Sequence, residues 1–136
     1  MSEHRANYQV TTVDDLARRG RVTLHAELNL TGSEISFNEL PPGAGVPFLH
    51  RHRRNEEVYI ILAGTGRFQV DGEEFEVTEG SVIRVDPAGE RGITADDAGP
   101  LRYLCIQTEA NSLRQFTEAD AIISDARPTW RRPPAR

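Results

Sequence analysis

Apolar positions recur along this chain with two periods. The longer period is confined to the N-terminal third. Residues 1–11 are polar, and His4 lies in this loosely held end. Val13 to Ala17 can form one helical turn, ended by Gly20. Thr23 to Gly32 suits a short helix. Thr23 is its N-cap, Leu24, Leu28 and Leu30 its apolar side, and Gly32 its C′ residue. A strand over Arg21 to Leu28 is the rival reading, since leucines alternate there too.

From residue 33 the period is two. Ile35, Phe37 and Glu39 alternate with Ser36, Asn38 and Leu40. Pro41 to Gly45 breaks the strand. Val46 to His52 is extended, because Pro47 biases Val46 away from the helical region. Glu57 to Leu62 is a strand, and Ala63-Gly64-Thr65-Gly66 turns the chain. Arg67 to Val70 and the segment holding Phe75 and Val77 form a hairpin around Asp71-Gly72. Ser81 to Val85, Arg91 to Ala95 and Leu101 to Gln107 complete the strands, separated by Gly/Pro turns. A helical segment follows over Leu113 to Ala121, then a tail with three prolines from Arg127 to Arg136. Short strands without βαβ alternation mean an all-β sandwich or barrel. One domain suits 136 residues, divided into an N-terminal segment (1–32), the β-barrel (33–110) and a C-terminal helix and tail (111–136).

Composition narrows the function classes. The net charge of -5, with both signs interspersed, argues against a nucleic-acid partner. The basic cluster Arg131, Arg132 and Arg136 lies among prolines and reads as a solvated tail. The single cysteine, Cys105, excludes an internal disulfide and points to a reducing compartment. Met1 to Val10 has no apolar stretch of signal-peptide type, and no apolar run is long enough to span a membrane. The expectation is a cytoplasmic protein. Edge strands with little charge protection beyond Glu73, Glu74 and Glu76 favour a homodimer.

The densest chemistry lies at His50-Arg51-His52-Arg53-Arg54-Asn55-Glu56-Glu57. Residues two apart in a strand face one way, so His50 and His52 point together. Glu57 opens the next strand and comes level with them if the two segments are antiparallel neighbours. Two imidazoles and a carboxylate form a three-ligand metal set with positions left open. Fe, Mn, Zn, Ni and Cu all accept such donors. Arg51, Arg53 and Arg54 read as solvated loop charges. Parity with Glu57 turns Tyr59 inward as a hydrogen-bond donor or proton relay, or simply as core. Arg84 and Arg91 are candidates to hold a substrate carboxylate by a bidentate contact. Gln107 is a weaker pocket candidate. His25 reads as a helix-surface residue and Cys105 as a core residue of the last strand.

The run His50-x-His52-x4-Glu57-x6-Gly64 resembles the first motif of the cupin superfamily. The upstream glycine is one residue off register, whether Gly43 or Gly45 is taken. Gly80, Pro87 and Gly89 resemble the frame of the second motif, with one extra residue between Gly80 and Pro87. The third histidine of that motif falls on Gly92, and its final asparagine on Asp96. The resemblance covers residues 33–107. It implies a double-stranded β-helix, or jelly roll, and a divalent metal held by His50, His52 and Glu57, one ligand short of the usual set. It also implies a small-molecule substrate for a metal-dependent dioxygenase, isomerase, epimerase, decarboxylase or lyase. The alternative is a non-catalytic binding or storage cupin without a functional metal. A transcriptional sensor is disfavoured, since no helix-turn-helix is attached.

Overall fold

A computed structural model describes residues 6–131, so the readings placed on His4 and on Arg132 and Arg136 lie outside the described residues. Among the described residues, eight strands form two antiparallel sheets. The larger sheet runs β1(Arg21–Thr23), β2(Glu34–Leu40), β8(Leu101–Glu109), β3(Asn55–Ala63), β6(Val82–Val85). The smaller runs β5(Glu73–Thr78), β4(Thr65–Val70), β7(Arg91–Ala95). No continuous ladder joins the two sheets, so the expected barrel is an open sandwich.

The alternation of apolar residues sets which face is covered. Tyr59 and Ile61 of β3, Leu101, Tyr103 and Cys105 of β8, and Val85 of β6 meet Phe68, Val77, Ile93 and Ala95 of the smaller sheet. These residues form the main core. The other face of the larger sheet carries a second core. There Val22, Ile35 and Phe37 are covered by Leu16, Leu24, Leu28 and Leu30 from the N-terminal segment.

That segment departs from the expected helix over Thr23 to Gly32. Arg21 to Thr23 pairs with β2 instead, Val22 opposite Phe37. The helical part shrinks to α2(His25–Leu28), following α1(Leu16–Arg19). The strand turns Val22 into the second core, and Leu24, which caps α2, packs in the same cluster. The helix over Leu113 to Ala121 is likewise reduced, to one 3₁₀ turn at Thr117–Ala119. Leu113 and Phe116 are exposed, so no packed face supports a longer helix there. No helix among the described residues is long and apolar enough to cross a membrane.

Candidate metal centre

The two histidines reach the site on the extended segment after Pro47. His50 exchanges both backbone hydrogen bonds with Arg91 of β7, and the His52 amide donates to the Pro87 carbonyl. Glu57 is carried by β3, opposite Gln107 of β8 and Val85 of β6. Register directs all three side chains into one cavity between the sheets. His50 Nε2 lies 3.3 Å from Glu57 Oε1, and His52 Nε2 lies 3.2 Å from Oε2. One donor atom from each residue falls within 4.8 Å of the others.

The fit to a cation shows in what these atoms lack. His52 Nε2 is buried and has no aligned hydrogen-bond partner, despite its closeness to the carboxylate. A buried imidazole nitrogen aimed at a carboxylate without a hydrogen bond suits a place where both lone pairs converge on an ion. Burial lowers the pKa of His50, and Arg91 and His52 act in the same direction against the attraction of Glu57. The neutral, ligating form is thereby favoured.

Glu57 is 2 % exposed and tightly held. Oε1 accepts from Arg91 Nη1 at 2.6 Å and from the Tyr59 hydroxyl at 2.7 Å, and Oε2 accepts from Cys105 Sγ at 3.2 Å. Burial alone would raise its pKa. The hydrogen bonds from Tyr59, Cys105 and Arg91 outweigh that and keep it ionised. Burial pushes the Cys105 thiol up to about 12, with the Glu57 charge adding to the effect. Tyr59 is raised as well, first by burial and then by its neighbours Cys105 and Glu57. Both groups therefore act as donors to Glu57, and neither is poised as a base at neutral pH.

The two arginine candidates have different fates. Arg84 does not reach the cavity. Ile83 and Val85 of β6 face inward, so Arg84 between them faces solvent and lies 3.5 Å from Asp86. Arg91 reaches the cluster, but it holds the protein's own carboxylate. It is fully buried; Nε donates to the Gly89 carbonyl, Nη1 to Glu57 and Nη2 to the Asp86 and Pro87 carbonyls. Four of its five guanidinium N–H groups are thus engaged within the protein. Gly92, paired with Gln69, borders the cavity without a side chain, and a Cβ there would lie 2.6 Å from Leu49 Cδ2. The side chain that β7 sends to the cluster is thus that of Arg91.

Gln107 borders the cavity, as expected, and donates no contact to Glu57; its Oε1 accepts from Asn55. His25 is exposed on α2 and stands 3.8 Å from Glu34. Arg51, Arg53 and Arg54 are exposed.

Arg21 was not among the sequence candidates, yet it borders the cavity. Its Cα partner is Asn38, which in turn pairs with Tyr103, so all three share the inner face of the sheet. Its positive charge acts on Tyr103 and Cys105. Among the described residues it forms no salt bridge. The alternation of Arg21 and Thr23 with Val22 and Leu24 is the signal that could have found it, had the strand reading been preferred.

The cavity measures about 240 Å³. Val46, Phe48, Ile93, Tyr103 and Cys105 also line it. Residues 36–107 match the family model for the cupin domain. The chain belongs to the cupin family. A crystal structure of a cupin protein from Bacteroides fragilis is 46% identical, with a TM-score of 0.84, over 88% of this chain and 99% of that one. An uncharacterized protein of Methanocaldococcus jannaschii is 32% identical over 85 residues, 62% of this chain and 68% of that protein. An oxalate-binding protein of Thermotoga maritima is 32% identical over 68 residues. That match spans half of this cupin and 55% of the relative's length.

Proposed function

We propose that this cupin binds a small carboxylate-bearing molecule at a divalent metal ion held by His50, His52 and Glu57. The observation that carries the reading is the charge of the cavity lining. Glu57 is its single carboxylate, and Arg91 already offsets that charge. Among the described residues Arg21 is left as a cation without an acidic partner, bordering the same cavity as the three metal donors. A bound ion adds further positive charge and a Lewis-acid centre for carboxylate oxygens. A cavity of this sign and size selects a compact anion, which Arg21 can grip through its planar guanidinium. The oxalate-binding relative supports this ligand class. Fe, Mn, Zn, Ni and Cu all suit the donor set.

One observation favours a second reading, an anion-binding cupin that needs no metal. The Arg91–Glu57 pair balances the charge of the site by itself. A single calorimetric series separates the two. Oxalate is titrated into the Mn2+-loaded protein, the EDTA-treated protein and Arg21→Gln. The metal reading predicts micromolar binding that chelation abolishes and that Arg21→Gln weakens by about tenfold or more, the loss of one charge-assisted contact. Binding unchanged by EDTA selects the second reading. Binding by neither form of the wild type refutes the carboxylate.

A further inference from the structure

We propose that Arg91 is a built-in counter-ion of the metal site, one that holds Glu57 ready and weakens the grip on the cation, so that the ion exchanges freely. The inference rests on the metal reading above and adds to it a residue that sets affinity.

The placement is specific. Arg91 is 0% exposed, and its Nη1 lies 2.6 Å from Glu57 Oε1. It is locked to the site twice over. Its backbone exchanges hydrogen bonds with that of His50, and its guanidinium is anchored on the carbonyls of Gly89, Asp86 and Pro87. The guanidinium therefore cannot swing away when a cation arrives. A cation and Arg91 must share one carboxylate at close range, and the carboxylate and guanidinium are themselves shielded from water, so the like charges repel.

Two effects of Arg91 oppose each other. Holding Glu57 in place favours a cation, and the positive charge disfavours it. The surroundings decide which wins. Tyr59 and Cys105 also donate to Glu57, from β3 itself and from its neighbour β8. The position of the carboxylate therefore survives the loss of Arg91. Its charge balance does not. The electrostatic effect dominates, and the native site is tuned for weak, reversible loading.

The test titrates Mn2+ into metal-stripped wild type, Arg91→Met and Arg91→Lys by calorimetry, with the thermal midpoint measured with and without the ion. Arg91→Met is expected to bind Mn2+ at least tenfold more tightly than wild type, and to gain more in thermal midpoint on loading. Arg91→Lys keeps the charge and should stay within about threefold of wild type. A residue with only a structural role would instead weaken binding in Arg91→Met. Unchanged or weaker binding in a folded Arg91→Met therefore overturns the proposal. Should that variant fail to fold without Mn2+, Arg91→Gln carries the same test with the same criteria, since its amide can still donate to a neighbouring carbonyl. Failure of every protein to bind Mn2+, the wild type included, overturns the metal reading itself. Binding by wild type without tightening in the uncharged variant overturns only the role of Arg91.

Discussion

Replacing Glu57 by glutamine is expected to destabilise the metal-free protein by about 3–5 kcal/mol, the usual result of removing one partner of a buried ion pair. Glutamine has nearly the shape of glutamate, so packing changes little. The charge is what is lost. Arg91 stays fully buried with three carbonyl contacts but no counter-charge. Tyr59 and Cys105 lose a charged acceptor at the same time. A domain of this size has a total stability of about 5–15 kcal/mol, so the variant sits near its folding limit. His50→Ala is the matched control. It removes another proposed ligand, but one that is half exposed and carries no buried charge to strand. Its cost in EDTA should be about 1 kcal/mol. Urea denaturation of both variants in EDTA reads the difference directly. Equal losses in the two would show that Glu57 matters only as a metal ligand.

Gly64→Ala is expected to cost about 4 kcal/mol, at the upper end for a single substitution. Gly64 closes the first cupin motif, and the structure shows why a glycine stands there. Its φ is +90°, and a Cβ would fall 2.1 Å from the Pro100 carbonyl oxygen and 3.2 Å from the Leu101 Cα. The obstacle is backbone, so no side chain can rotate to relieve it. The start of β8 would have to move away from the turn between β3 and β4, loosening the strand that carries Tyr103 and Cys105. Gly80→Ala separates crowding from backbone strain. Its φ is +89°, yet a Cβ there meets nothing within 4 Å. That variant should lose only about 1–2 kcal/mol, the conformational part alone. Chemical denaturation of the pair checks the ratio; a Gly64 variant no worse than the Gly80 variant would contradict the close-approach explanation.

Much of the site was legible because its residues are close in the chain. His50, His52 and Glu57 lie on two adjacent extended segments, and period-two parity was enough to turn them toward one another. The same parity placed Tyr59 inward. It gave no guide at Arg84, because Val82 and Ile83 put apolar residues on both faces of β6 and give no sign of which side is covered. In the sequence Arg91 reads as a grip for a substrate carboxylate, whereas the carboxylate it contacts is that of Glu57. Its partner Glu57 lies on the facing sheet, and that sheet-to-sheet match depends on long-range packing. Arg21 escaped notice for a related reason. Its strand has only three residues, and it exists through pairing with β2 rather than through local preference. The open sandwich in place of a closed barrel is a further long-range property that no local pattern encodes.

The central claim is that His50, His52 and Glu57 form one cation site. Equilibrium dialysis of metal-stripped protein against Mn2+, followed by elemental analysis, tests it most directly. One ion per chain is expected in the wild type, with loss of that ion in His52→Ala, which removes the unpartnered Nε2. Wild-type protein that retains no ion, or a His52→Ala variant that retains as much as wild type, would contradict it.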